Sequence, residues 1–361
     1  GRLPIYGKTS LRSHFGSSPS DLVLRRWLGR AIRPFHPAMD WKKRRTLPSA
    51  LVRRVAIVGG THGNETNGVH LAKHFIRNPA LVKRSSFETE VFLSNEAAIA
   101  QNTRYVDEDL NRCYLLSELA DDSKATENKE RKRAREVDAK LGPKGVPEPR
   151  CDLVIDLHNT TAATDVALMM APDDDFAHEL AHHLMSLDKG VRIVNWNTQA
   201  DWSLCPSVGR SGMTFEVGPC PWGCIVPELF DRSQKLVLAL LDYVETHNAS
   251  VTAGASAFDS VTVPVFRFTG ISIDYPRGED GDLDGMVHPR LQGRDFEEIR
   301  DGDPLFKTFA GAEKTFSREE YKVPKEKETI YPVFINEAAY YEKKIAVMIF
   351  DKGEKTFQKL R

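Results

Sequence analysis

The run Val55-Ala56-Ile57-Val58-Gly59-Gly60-Thr61-His62-Gly63-Asn64-Glu65 constrains this chain more than any other. Four apolar residues, three of them β-branched, read as a buried strand. Paired glycines then stop the strand and turn the chain. The loop beyond carries His62 and Glu65, an imidazole and a carboxylate that both suit zinc. Catalytic zinc takes three protein ligands and keeps one position open, so a third ligand must come from elsewhere.

Cys151 to Thr161 supplies it. Leu153 to Leu157 reads as a second buried strand that delivers His158 at its end. In open α/β sheets, sites gather beyond the carboxyl ends of the strands. Asp156, two residues earlier, shares the face of His158 and suits the task of holding a ligating histidine in one tautomer. A third strand, Met213 to Pro219, carries Glu216 among apolar neighbours; desolvation raises the proton affinity of such a carboxylate, which suits a general base or acid.

Between these strands, Gly68 to about Asn78 has helical spacing, and His70 and His74 on it read as surface or core histidines. Glu90 to Asn95 is a further strand. Thr103 to Arg112 is dense in charge without periodicity, either a solvated loop or a substrate-holding loop carrying Arg104 and Arg112. Asn128 to Leu141 reads as a charged helix stopped at Gly142-Pro143, a solvated connector. His178-Glu179-Leu180-Ala181-His182 matches the zincin pattern H-E-x-x-H, but no glycine or acidic third ligand follows at the required spacing. The ordinary reading is an amphipathic surface helix with Leu180, Leu184 and Leu187 inward; a zincin-type endopeptidase is the rival. Leu229 to His247 reads as a long amphipathic helix.

The totals bound the rest. At 361 residues with 41% hydrophobic and 28% charged, the chain suits one large or two ordinary globular domains. A net charge of −1 gives no global field for nucleic acid or membrane, and no run is long and apolar enough to span a bilayer as a helix. Five scattered cysteines do not read as a disulfide framework; Cys205, Cys220 and Cys224 are spaced poorly for zinc. A reducing compartment follows, and the expectation is cytoplasmic. The first 54 residues carry 13 Lys or Arg against Asp21 and Asp40, which fits a basic disordered extension or, as the alternative, an organelle signal. Beyond about residue 250, a Ser/Thr/Ala/Gly linker at 249–257 leads to alternating strands and Gly/Pro/Asp turns, a small β-rich domain. The expected division is thus 1–52 extension, 53–250 zinc-binding α/β domain and 251–361 β-rich domain.

Several of these stretches, taken in order, resemble one family. Gly59 to Glu65, Thr103-Arg104-Tyr105, Asp109-Leu110-Asn111-Arg112, Asp156 to Thr161, Glu216 to Pro219 and Val333 to Lys344 are similar to the aspartoacylase family, which includes aminoacylase-3 and shares the zinc carboxypeptidase-like fold. The likeness covers about residues 53 to 350. It implies an α/β/α zinc domain roofed in part by a smaller β-rich C-terminal domain. It implies one zinc ion per chain on His62, Glu65 and His158, Glu216 as general base and Arg104 as the carbonyl-polarising group. Asn111, Arg112, Asn159, Tyr340 and Lys344 would bind the substrate. The implied reaction is hydrolysis of an N-acyl, chiefly N-acetyl, amino acid to a carboxylate and a free amino acid, with no nucleic-acid or membrane partner; a homodimer is compatible with it. Aspartate-selective members have Tyr and Arg where Trp202 and Pro206 stand here, and Arg210 lies close enough in sequence to compensate. Trp222 makes the rim bulkier. An aminoacylase-3-like preference for aromatic or bulky amino acids is therefore the alternative, and a non-catalytic zinc-stabilised binding protein is the alternative from another class.

Overall fold

A computed structural model describes residues 50–121, 128–196, 201–324 and 329–361. Residues 1–49, and with them nearly all of the basic extension, lie outside the described residues.

Strands β1 (Arg54–Gly59), β2 (Glu88–Leu93), β3 (Leu153–Asn159), β4 (Asp165–Met170), β5 (Val191–Asn195) and β6 (Ser211–Gly218) form most of one sheet. The order β2-β1-β3-β6 is parallel; β4 is inserted antiparallel to β6, with β5 parallel to β4. The helices are α1 (Thr66–Arg77), α2 (Glu96–Gln101), α3 (Leu116–Ala120), α4 (Lys129–Leu141), α5 (Asp175–Leu187) and α6 (Pro227–Thr252). Alternate strand residues go to opposite faces. Val55, Ile57 and Ile155 pack with Phe75 of α1, Phe176 of α5 and Leu240 of α6. Ala56, Val58 and Val154 pack on the other face with Tyr114 and with Ala134 and Val137 of α4. Helices thus cover both faces, as the α/β/α expectation required. Each fully buried Phe or Leu contributes roughly 1.5–3 kcal/mol.

The β-rich half adds β7 (Phe258–Ile273), β8 (Gly285–Val287), β9 (Pro304–Thr308), β10 (Glu313–Thr315), β11 (Ile330–Val333) and β12 (Val347–Leu360). β8, β9 and β10 form a small antiparallel sheet. β12 pairs with β7 along nearly its whole length, and β7 joins β5 through Val194 and Asn195. One nine-stranded sheet therefore runs from the first half into the second. A separate core of Ile273, Phe306, Phe316, Ile330 and Ile349 fills the smaller half.

Three expectations need correction. α4 is no solvated connector: Glu130 is fully buried and Val137 and Leu141 are core, because its carboxylate captures a loop and its apolar stripe covers the sheet. α6 continues to Thr252, so the expected linker begins later than 249. On α5, Leu187 is 52% exposed while His178 and Glu179 are buried, since the helix's inward face is rotated towards its polar pair.

Candidate metal centre and active site

Three adjacent strands, β6-β3-β1, bring the chemistry to one edge of the sheet. β1 is followed by Gly60, whose φ of +72° turns the chain. Gly63 follows at a close approach: a Cβ there would lie 2.1 Å from the Ala98 backbone of α2. The turn places His62 in the loop and Glu65 at the N-cap of α1, at the positive end of the helix dipole. His158 is the penultimate residue of β3 and pairs in register with Glu216 of β6, so their side chains share a face.

His62 Nδ1 lies 2.7 Å from Glu65 Oε1, and His158 Nδ1 lies 2.7 Å from Glu65 Oε2. The two Nδ1 atoms are 3.1 Å apart. His62, Glu65 and His158 are all buried, and their ligand atoms lie within 4.8 Å of one another. Each imidazole is held from behind. His62 Nε2 donates to Asp109 Oδ1 at 3.0 Å, and His158 Nε2 donates to Asp156 Oδ2 at 2.8 Å. Thr61 Oγ1 donates to Asp156 Oδ1 at 2.8 Å and fixes that carboxylate in turn. With both Nε2 protons committed to carboxylates, both Nδ1 lone pairs converge with the Glu65 carboxylate on one point. Carboxylate-backed histidines of this kind are the usual surroundings of a zinc ligand.

The electrostatics point the same way. Burial would raise the Glu65 carboxyl, but His62 and His158 outweigh it and pull the group far below the ordinary carboxylate range. Burial would make His158 less basic, yet Asp156 and Glu65 outweigh it and raise its proton affinity well above that of an ordinary histidine. The cluster favours positive charge at its centre, and two imidazoles with one carboxylate are a donor set that fits zinc.

A second tier stabilises the first. Arg104 Nη1 donates to Glu65 at 3.0 Å and Nη2 to Asp109 at 3.3 Å. Asp109 also accepts from Lys343 Nζ at 3.1 Å and from the Asn111 backbone at 3.0 Å. Its carboxyl, which burial would raise, is held very low by His62, Arg104 and Arg112. Glu216 behaves oppositely: enclosure by protein, reinforced by Glu65 and Glu337, pushes its carboxyl up to about 8 against the pull of His158 and Arg104.

The expected substrate residues divide. Asn111 is buried, with Oδ1 on the Cys205 backbone at 3.0 Å and Nδ2 3.4 Å from His158. Asn159 Oδ1 accepts from the Asn67 backbone, and its buried Nδ2 has no partner among the described residues. Tyr340 faces the electrostatic field of Glu216, Arg104 and Arg112. Arg112 is exposed and its guanidinium bonds the Asn111 carbonyl. Lys344 does not join the group: it is exposed, in a turn at φ +56°, and Lys343 is the lysine that reaches Asp109. Arg210 does not compensate for Trp202 and Pro206. It pairs with Asp152 at 3.5 Å, at the opposite end of β3 from His158, roughly 20 Å away at the rise of a strand. Trp202 and Pro206 are buried. The H-E-x-x-H run forms no site. His178 is buried between the Asp174 carbonyl and Asn195, and Glu179 takes the Tyr243 hydroxyl. All five cysteines are free thiols.

Two buried carboxylates that pattern reading passed over hold the site's loops. Glu130 accepts from Asn95 Nδ2 (3.0 Å) and from the backbone of Val106 (2.8 Å), Asp107 (3.0 Å) and Glu108 (3.3 Å), fixing the loop between Arg104 and Asp109. Glu337 accepts from both hydroxyls of Thr160 and Thr161 and from the backbone of Thr161 (2.7 Å) and Ala162 (3.2 Å), joining the smaller half to the loop after β3. Among the described residues no helix is long and apolar enough to cross a membrane.

A family model described as the succinylglutamate desuccinylase/aspartoacylase catalytic domain matches residues 52–244, and one described as the AstE/AspA barrel-sandwich hybrid domain matches residues 262–352. The chain is 40% identical over 305 residues to a Mus musculus protein named N-acyl-aromatic-L-amino acid amidohydrolase (carboxylate-forming), covering 84% of this chain and 90% of the relative. It is 37% identical over 301 residues to a Nostoc sp. protein named probable aspartoacylase, covering 83% and 97%. The crystal structure of murine aminoacylase 3 superposes with a TM-score of 0.78 at 38% identity, covering 86% of this chain and 99% of that one.

Proposed function

The chain belongs to the succinylglutamate desuccinylase/aspartoacylase family, and from that premise we propose that it is a zinc-dependent hydrolase that cleaves N-acyl amino acids to a carboxylate and a free amino acid. The observation that carries the zinc reading is the pair of imidazoles, each backed by a carboxylate, that converge with Glu65. Among the described residues the group holds three His, Cys, Asp or Glu ligands and no fourth, which favours an open catalytic position over a closed structural one. His62, Glu65 and His158 would hold the ion, which when bound supplies Lewis acidity and a water of lowered proton affinity.

The chain's own residues do the rest. Glu216 takes the proton of the attacking water at its carboxylate and returns it to the departing amine nitrogen. Its raised proton affinity makes it a strong enough base for the first transfer and a good acid for the second. Arg104, anchored on Glu65 and Asp109, keeps a permanent cation beside the cluster, where negative charge develops on the carbonyl oxygen; a donor so placed is worth roughly 3–4 kcal/mol. Arg112, Tyr340 and the Asn159 amide take the amino acid's carboxylate, Arg112 offering a two-pronged grip. Asp109 and Asp156 set the tautomers of the two histidines.

Of the two amino-acid preferences, the geometry favours aromatic or bulky residues over aspartate: Trp202 and Pro206 bring no cation, and Arg210 is engaged at the far end of the sheet. The test is release of free amino acid from N-acetyl-phenylalanine, N-acetyl-leucine and N-acetyl-aspartate, with and without a chelator and zinc repletion. Release from the aromatic substrate that stops on chelation and returns with zinc is expected. No release from any of them would overturn the proposal.

A further inference from the structure

One cavity beside the candidate active site shares Arg104 with it but none of the metal-site residues or Glu216. A cleft of about 530 Å³ runs between Asn64, Arg104 and Tyr105 on one side and Ala339 and Tyr341 on the other, with Trp222 beside them. That volume lies inside the range of small-molecule sites, roughly 300–1,000 Å³, and far exceeds what one methyl group needs. Its walls are built. The Gly223 backbone donates to the Asn64 carbonyl at 2.9 Å, which fixes the Trp222 loop against the wall. Tyr341 stacks on Tyr275 with ring centroids 4.6 Å apart, and its hydroxyl donates to Asn336 at 2.6 Å. The Tyr105 hydroxyl donates to Glu342 at 2.9 Å and ties one wall to the other. Trp222 is still 37% exposed and Tyr341 41% exposed, so both rings have surface to offer.

The cleft borders the candidate active site through shared residues. Arg104 belongs to both, and Asn64 precedes Glu65. Asn64 Oδ1 and Arg104 Nε are buried and lack partners among the described residues, a condition that native structures usually relieve with a ligand or water. Asn111, Arg112 and Tyr340, which would face the amino-acid end, are absent from its lining. A substrate with its carbonyl at Arg104 and its carboxylate towards Arg112 has two groups left to place, the acyl chain and the amino-acid side chain. The acyl chain is bonded directly to the carbonyl carbon and so starts nearer to Arg104, which lines the cleft.

We infer that this cleft is an acyl pocket, and that the enzyme takes amino acids whose N-acyl group carries an aromatic ring or a comparable apolar body, such as phenylacetyl, in preference to acetyl. The inference rests on the deacylase reading above. The same C–N bond breaks, water's oxygen joins the acyl carbon, and an arylcarboxylic acid leaves from the cleft. Aromatic side chains supply apolar area and stacking for such a group.

The test compares N-phenylacetyl- with N-acetyl-phenylalanine, and N-acetyl-phenylalanine with N-acetyl-alanine, in the unaltered enzyme, Trp222→Ala and Trp222→Phe. Phenylacetate and acetate binding to each protein are measured by calorimetry. The unaltered enzyme should favour the phenylacetyl substrate in kcat/KM. Trp222→Ala should lower the phenylacetyl-to-acetyl ratio about tenfold and weaken phenylacetate binding alike, while Trp222→Phe keeps most of both. If acetyl substrates are cleaved but the acyl ratio is the same in all three proteins, the pocket assignment fails and the deacylase reading stands. If Trp222→Ala shifts only the phenylalanine-to-alanine ratio, the cleft holds the amino-acid side chain and the acyl assignment fails. If nothing is cleaved, both fall.

Discussion

Replacing Asp109 by Asn tests how the site is held together. The Asp109 carboxylate receives four donors: His62 Nε2 and the Asn111 backbone at 3.0 Å on one oxygen, Lys343 Nζ at 3.1 Å and Arg104 Nη2 at 3.3 Å on the other. An asparagine keeps one acceptor oxygen. If that oxygen faces His62, the new amide confronts two cations. If it faces Arg104 and Lys343, the amide confronts His62 Nε2 and drives the imidazole proton to Nδ1, the atom turned towards Glu65 and His158. In either pose the metal ligand loses orientation. Removing a carboxylate behind a ligating histidine typically costs 10–100-fold in metal affinity, or about 1.4–2.8 kcal/mol. Global stability should fall less. Arg104 retains Glu65, and Lys343, whose side chain is 26% exposed, can turn to water. Zinc dissociation constants from chelator competition, with thermal unfolding as the control, measure both effects. Zinc affinity within twofold of the unaltered protein would refute the claim that Asp109 orients His62.

Further outcomes are expected elsewhere. Glu216→Gln should retain its zinc by elemental analysis and lose turnover by about 10²–10⁴-fold; near-normal kcat would exclude Glu216 as the base. Because a base of the proposed kind works ionised and burial pushes the Glu216 carboxyl up to about 8, kcat/KM should rise with pH along an acid limb that a nearby cation moves lower, and the limb should vanish in the Gln variant. Glu130→Gln leaves amide hydrogens facing backbone N–H groups of the 106–108 segment; a loss on the order of 2–3 kcal/mol and a reduced kcat/KM are expected, and unchanged melting and kinetics would count against Glu130 as the anchor of Arg104. Glu337→Ala removes the acceptor shared by Thr160, Thr161 and Ala162 and should cost about 3 kcal/mol with a fall in activity, read by urea unfolding and assay; wild-type values for both would contradict it. His182→Ala should alter neither zinc content nor kcat by more than about twofold, since its ring packs near Phe357 away from the cluster; loss of metal would revive the zincin reading.

The strand that leads to His62 and those that carry His158 and Glu216 were legible because apolar, β-branched runs stopped by Gly or a polar residue leave few alternatives to a buried strand. The convergence of His62, Glu65 and His158 was legible because zinc's demand for nitrogen and oxygen donors turns a search over all residues into a search for one more imidazole at a strand end. Asp109 was not singled out: in a loop with Asp107 and Glu108 nearby, only the fold shows which acid turns inward. Lys343 and Lys344 are neighbours, and the left-handed turn at Lys344 decides which one reaches the site. Glu130 sat on a helix so charged that solvent exposure was the natural expectation; the donors that bury it are backbone groups more than 20 residues away. The antiparallel insertion of β4 between β6 and β5 leaves no local trace, since strand order is settled by packing across the sheet.

β12 lies inside the nine-stranded sheet between β11 and β7, and Glu337 and Lys343 stand in the segment that leads from β11 to it. The first 330 residues hold His62, Glu65, His158 and Glu216 but lack Glu337, Lys343 and the strand that joins β11 to β7. A chain cut before Glu337 should leave β7 as an exposed edge and the Thr160–Ala162 loop without its acceptor, an inert fragment rather than a weakened enzyme.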